Sequence, residues 1–165
     1  MTSIIKVDQI QTAAGGVPTA ADLGLNVSGT VLQIVSVSFN TSSHNTTNST
    51  SYVPTPITAS ITPKSASSKI LVSANFGMIY APANDAVMLA IHRGTTYLAS
   101  NSYNNYTRAT GTSSSLYASS TVEWTDTPAT TNPTTYTVYC RSNGGTIYAP
   151  HGGSQNTIKL IEIAG

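Results

Sequence analysis

Alternation with a period of two runs through most of the chain and is clearest over Lys69 to Tyr80, KILVSANFGMIY. Ile70, Val72, Ala74, Phe76, Met78 and Tyr80 are apolar there, and Ser73, Asn75 and Gly77 fall between them. That spacing lays one face of a strand on a core. A helix would need apolar residues three and four apart, and no such stripe exists here. The stretch predicts a central strand, introduced by the turn-rich run Pro63 to Ser68.

The same period recurs on both sides. Val31, Val35, Val37 and Phe39 share one face, interrupted by Gln33, while Leu32 and Ile34 take the other. A strand apolar on both faces at one end calls for cover by a second layer or a subunit. Residues 40–51 contain no apolar residue and predict a long exposed loop. Tyr52 to Thr62 carries Pro54 and Pro56, which cannot complete a ladder and so predict an edge strand. Val87, Leu89 and Ile91 alternate before a turn at His92 to Thr95, with Thr96 to Ala99 as the returning arm of a hairpin. Residues 100–115 predict a second polar loop. Leu116, Ala118, Val122 and Trp124 resume an even-numbered apolar face. The strand of Tyr136, Val138 and Cys140, a short one at Thr146 to Ala149 and a last one at Asn156 to Ile163 complete the series. Eight to ten strands, regular turns and no helical window predict an all-β antiparallel sandwich or jelly roll. No internal repeat suggests a propeller or solenoid.

Residues 1–28 stand apart from this pattern. Ile4, Ile5, Val7 and Ile10 precede a Gly15-Gly16 break, and Leu23, Leu25 and Val27 form a second small cluster. Their apolar area is too small for a core of their own. The default for such a segment is a frayed terminus, but isoleucines suit a segment that docks. The expected organisation is a docking arm over 1–28 and a sandwich domain over 29–165.

Composition narrows the function classes. The 165 residues fit one domain. Seven basic and six acidic residues, none between Asp22 and Lys64, provide neither a basic nucleic-acid footprint nor an acidic tail. Ser and Thr number 48, so the expected surface is neutral and hydroxylated. Such a surface suits a protein that works within an assembly or outside a cell. No apolar run reaches signal-peptide length or the roughly 18 residues of a membrane span. A soluble protein made in a cytoplasm is the expectation. Cys140, between Val138 and the following turn, reads as a small buried hydrophobe, with an intersubunit disulfide left open.

Chemistry-bearing motifs are sparse. His44, His92 and His151 lack companions at metal-ligand spacing. No G-x-S-x-G elbow occurs. The six carboxylates are scattered, with Glu162 expected to point outward between Ile161 and Ile163, and Asp85 and Asp126 expected in turns. Asn-x-Ser/Thr matches at Asn26, Asn40, Asn45, Asn48 and Asn105 arise readily in so Ser/Thr-rich a chain. The Gly-Gly pairs at 144 and 152 lack the following helix of a phosphate cradle. No enzyme, cofactor or metal site is expected. One grouping stands out: Tyr97, Tyr103, Tyr106 and Arg108 lie in or beside the second polar loop, and Tyr148 lies beside the His151 turn. Tyrosine pairs an apolar face with a hydrogen-bonding tip, which suits contact with a glycan or a protein. Packing at strand ends is the plainer explanation of the same residues.

Three segments carry a resemblance: SIIKVDQIQTAAGG with VPTAADLGLNVSGTVLQIVSV, then SITPKSASSKILVSA, then NTIKLIEIAG. Together they resemble small structural proteins and fibre C-terminal domains of tailed phages, especially those of aquatic and cyanobacterial hosts. The resemblance implies a virion component in a homotrimeric, tumour-necrosis-factor-like jelly roll. Its N-terminal arm (Ile4, Ile5, Val7, Ile10, Leu23, Leu25) would tie it to other virion proteins. A distal tail fibre of that group carries a shaft ahead of the sandwich, and this chain has none. That favours a short fibre, a tail or neck appendage, or a decoration protein cementing the capsid. Expected partners are further copies of itself, virion proteins and a host surface glycan, with no nucleic acid and no membrane insertion. A free-standing lectin-like module is the alternative from another class.

Overall fold

A computed structural model describes residues 15–17, 28–40, 42–98, 105–111 and 113–165. The docking-arm residues Ile4, Ile5, Val7, Ile10, Leu23 and Leu25, and Tyr103, lie outside the described residues. The described residues contain strands and no helix: β1 (Val31–Asn40), β2 (Thr46–Thr47), β3 (Val53–Ile61), β4 (Lys69–Ala81), β5 (Ala86–Arg93), β6 (Thr96–Tyr97), β7 (Asn105–Arg108), β8 (Leu116–Asp126), β9 (Thr134–Arg141), β10 (Ile147–Tyr148) and β11 (Gln155–Ile163).

They build two open antiparallel sheets. In the first, β1, β11, β4 and β8 lie side by side. The short β10 pairs with the far end of β4 at Tyr80 and carries β2 on its other edge. In the second, β3, β9 and β5 lie side by side, and β7 and β6 pair with β5. The proline-bearing β3 occupies an edge, where its missing donors cost the ladder least. One core lies between the layers. Ile70, Val72, Ala74, Phe76, Val122, Ile158 and Leu160 come from the first sheet, and Ile57, Val87, Leu89, Ile91, Tyr136 and Val138 from the second. The architecture is β-sandwich-like.

Buried carboxylates fasten the two ends. Asp126 accepts from the Arg93 guanidinium at 2.8 and 3.0 Å and from the Tyr136 hydroxyl at 2.8 Å, which joins β8 of one sheet to β5 and β9 of the other. Asp85 accepts from the backbone amides of Ala86, Asn143 and Gly145 and so fixes the turn after β9. Glu162 does not point outward: it is fully buried. Its carboxylate accepts from the Lys64 amide at 2.7 Å and from Gln33 Nε2 at 2.5 Å. Burial alone would raise its pKa. The Ser68 hydroxyl, which sits close by without hydrogen-bond geometry, and the donors from Gln33, Lys64 and Ser65 together hold it below the usual glutamate value. Cys140 is buried, and burial pushes its thiol up to about 12, so it is an inert core residue that no second thiol reaches without opening the sandwich.

Three other expectations change. The apolar alternation of β4 does not continue through Met78 and Tyr80. The register skips between Phe76 and Ile79, so Ile79 and Ala81 face the core and Tyr80 turns outward. Gly77 sits at this irregularity because a Cβ there would run into the Gln155 carbonyl, and its amide donates to Asn156 Oδ1 at 3.1 Å. Each polar loop contains a strand, β2 in the first and β7 in the second. His92 belongs to β5 and not to the turn after it, and Asp126 ends β8.

Candidate functional site

Strand register arranges the outer face of the first sheet in rows that cross the strands. Ile34, Ile161 and Leu71 stand side by side, with Thr125 at the end of their row. Ile34 is 60% exposed, and Val31 nearby is 52% exposed. The next row is Ser36, Lys159, Ser73 and Glu123, and the one after it Ser38, Thr157, Asn75 and Thr121. Ser73 donates to Glu123 at 2.7 Å, and Asn75 donates to Thr121 at 3.0 Å.

Beyond the irregularity in β4 the face turns aromatic. Tyr148, Tyr80 and Tyr117 are opposite one another on β10, β4 and β8. Tyr80 stacks on Tyr148 at 4.7 Å, His44 stacks on the far side of Tyr148 at 4.3 Å, and His151 meets His44 edge-on at 4.1 Å. The stack uses up the faces of its inner rings, so the broad aromatic surface left to solvent is that of Tyr117, 58% exposed. His44 Nδ1 accepts from the Gly152 amide at 2.8 Å, and a Cβ on Gly152 would press on the backbone of Ser42 to His44 at about 3.0 Å. Beside this turn lies an open cleft of about 320 Å³ lined by Asn40, Ser42, Gly153, Ser154 and Gln155.

The outer face of the second sheet is built differently. Along β5 the residues turned away from the core are Ala86, Met88, Ala90 and His92, all buried. Register places Arg108 beside Ala86, Tyr106 and Arg141 on either side of Met88, Tyr139 beside Ala90, and Tyr97 beside His92. Tyr139 lies nearly parallel to the His92 ring, with centroids 3.8 Å apart. Tyr52 approaches Tyr97 at 5.5 Å and holds the Arg141 guanidinium over its ring at 5.3 Å. Burial pushes the Tyr52 phenol up to about 12 and lowers the pKa of His92, with the Thr95 backbone opposing the His92 shift to a lesser degree. Neither His92 nitrogen has a partner in hydrogen-bond geometry, a cost of about 1–3 kcal/mol.

Of the residues singled out in the sequence, Tyr97, Tyr106 and Arg108 lie along this second face, Tyr97 on the expected hairpin arm and Tyr106 and Arg108 on a strand rather than in a loop. Tyr148 sits on the opposite layer, among the stacked rings. Tyr52, Tyr139, Arg141 and His92, and on the other side His44, Tyr80, Tyr117 and His151, complete the two groups and were not nominated. Tyr139 and Arg141 were visible in principle, since they alternate with the core residues Val138 and Cys140. Nothing local marks Tyr52.

The electrostatics of the faces also differ. Asp85, Asp126 and Glu162 are buried, and Glu123 belongs to the first sheet, so Arg108 and Arg141 share their face with no carboxylate among the described residues. No group of three or more His, Cys, Asp or Glu among the described residues is placed to hold a metal ion. No protein-family model matches the chain, and no curated protein matches it.

Proposed function

We propose that this chain is a non-enzymatic structural subunit of a tailed-phage particle, a jelly roll with tumour-necrosis-factor-like strand order that associates as a homotrimer through the outer face of its first sheet. The apolar row of Ile34, exposed, with Ile161 and Leu71, half-buried, carries the reading. Burying a large aliphatic side chain is worth about 1.5–3 kcal/mol relative to leaving it in water, and Ile34 forgoes more than half of that in a single chain.

The order of rows favours rotation about an axis parallel to the strands. Such rotation keeps every row at its own height, so apolar meets apolar, Lys159 meets Glu123 and tyrosine meets tyrosine. A two-fold axis perpendicular to the strands would set isoleucines against the aromatic end. The number three comes from the phage resemblance. That resemblance is densest over residues 3–37, 60–74 and 156–165, and within the described residues these segments form β1, the start of β4, and β11, three neighbours in the first sheet. The segments that resemble phage structural proteins thus include three of the four strands that bear the rows. The jelly-roll assignment is supported by the first long strand lying beside the last, and by the long strands β1, β3, β4, β5, β8, β9 and β11 alternating between layers in chain order. The 1–28 arm remains the proposed tie to other virion proteins, in a short fibre or a capsid decoration.

Light scattering tests the assembly: the purified protein should have the mass of three 17.1-kDa chains, and Ile34→Asp should give single chains with unchanged circular dichroism. A wild-type protein that runs as a single chain overturns the trimer. Mass spectrometry of particles of the phage that encodes the chain tests the virion assignment, and absence of the chain from purified particles overturns it.

A further inference from the structure

We infer that the outer face of the second sheet is a binding site for an acidic saccharide, one bearing carboxylate groups along its chain. The inference rests on the assembly reading only for which face is left turned outward. Tyr52, Tyr97, Tyr106 and Tyr139 surround β5, and Arg108 and Arg141 stand among them with no carboxylate on the face among the described residues. A saccharide presents C–H faces that rest on tyrosine rings and hydroxyls that meet phenol tips, and a guanidinium pairs with a carboxylate through two parallel N–H donors. A neutral saccharide would leave both arginines without a counter-charge.

Geometry separates the two arginines into different tasks. Arg141 is held over the Tyr52 ring and donates to the Thr50 carbonyl at 3.3 Å, so its guanidinium is fixed before any ligand arrives. Preorganisation of this kind reduces the ordering cost of binding. Arg108 is exposed at the end of β7, three strands' width from β3, and reaches a different part of an extended chain. Further along β5, next to Tyr97, His92 stacks on Tyr139 with neither nitrogen in hydrogen-bond geometry, a buried polar group at the aromatic end of the face. An extended, repeating ligand can engage several weak contacts along the face at once.

Isothermal titration with oligogalacturonate, with neutral dextran oligosaccharide and single-stranded DNA as controls, tests the inference. Oligogalacturonate should bind, dextran should not, and Arg108→Gln with Arg141→Gln should weaken binding by at least about tenfold, as should raised salt. Because Arg141 also holds the Thr50 carbonyl, Arg108→Gln alone provides a second reading on an exposed side chain. Equal binding of dextran, equal binding of single-stranded DNA, or undiminished binding by both variants overturns the site. Light scattering on the same samples separates the two proposals. A trimer that ignores oligogalacturonate refutes this site alone, and a single chain that binds it refutes the assembly alone.

Discussion

The two outer faces of the sandwich are both rich in side chains that water does not favour, yet they solve the problem differently. On the first sheet an apolar row runs from exposed Ile34 to half-buried Ile161 and Leu71, acid and base occur together in the adjacent row, and the aromatic rings stack on one another. On the second sheet β5 is buried on both sides, and the large side chains next to it are tyrosines and arginines without acids. A face with both charges and a graded set of rows complements a copy of itself. A face with one sign of charge and polar-tipped rings complements something else. The contrast comes largely from which residues sit at the centre. Ala86, Met88 and Ala90 are compact or pliable and let neighbours close over them, whereas Ile34, Ile161 and Leu71 are bulky and lie side by side.

Removing one ring from each face gives the largest expected difference. Tyr80 is flanked by Tyr148 and Tyr117 and its hydroxyl lies 3.3 Å from that of Ser115, so Tyr80→Ala opens the middle of a stack and should cost about 2 kcal/mol in urea unfolding. Tyr139→Ala should cost less, about 1 kcal/mol, because uncovering His92 lets its nitrogens recover water. Equal losses would show that the second face is as tightly interlocked as the first.

A charge exchange separates the faces next. On the first sheet Lys159 and Glu123 share one row two strands apart. Lys159→Glu should weaken self-association by about tenfold, or about 1.4 kcal/mol, and adding Glu123→Lys should restore it. Among the described residues the second face has no acid with which its arginines could be exchanged. If the double variant associates no better than Lys159→Glu alone, the row does not meet its counterpart on another copy.

How much of this was readable in the chain depends on the range of the forces involved. Alternation alone placed β4, β8, β9 and β11, since each has one face on the core and the sign of that face repeats every second residue. It failed where register changed. After Gly77 the period slips, and Tyr80 passes from an expected core position to the outer aromatic row. It also failed where strands were short and polar. Asn105–Arg108 carries only tyrosine as an apolar residue and is a strand because β5 offers it an unpaired edge, a fact fixed by tertiary structure. Glu162 misled for a related reason. Its neighbours Ile161 and Ile163 suggested that it faced water, but β11 is covered on the core side at that point by the Pro63 to Ser68 turn, whose amides need an acceptor. Tyr97, Tyr106 and Arg108 were found because they cluster in sequence. Tyr52, Tyr139 and Arg141 meet them only after β3 and β9 have paired.

His92 gives the smallest effect and the sharpest test of how closed the second face is. Its pKa lies below the ordinary histidine value because burial disfavours the imidazolium, and the groups around it are the phenols of Tyr52, Tyr97 and Tyr139 and, beyond Tyr52, the cationic Arg141, so no carboxylate among the described residues offsets that penalty. The unfolded chain therefore takes up its proton at a higher pH than the folded one. Stability is fully present above the unfolded value near 6.5 and is lost as pH falls from there toward the lower folded value. Between pH 7.5 and 5.5 this should lower the stability of the folded chain, read as a falling urea midpoint. His92→Leu, which fills the same space without a proton site, should flatten that part of the profile, while His44→Gln on the exposed first face should leave the His92 contribution in place. A slope that survives His92→Leu would mean that the second face admits water to the ring, and the contrast between a closed face and an open one would then fail at its centre.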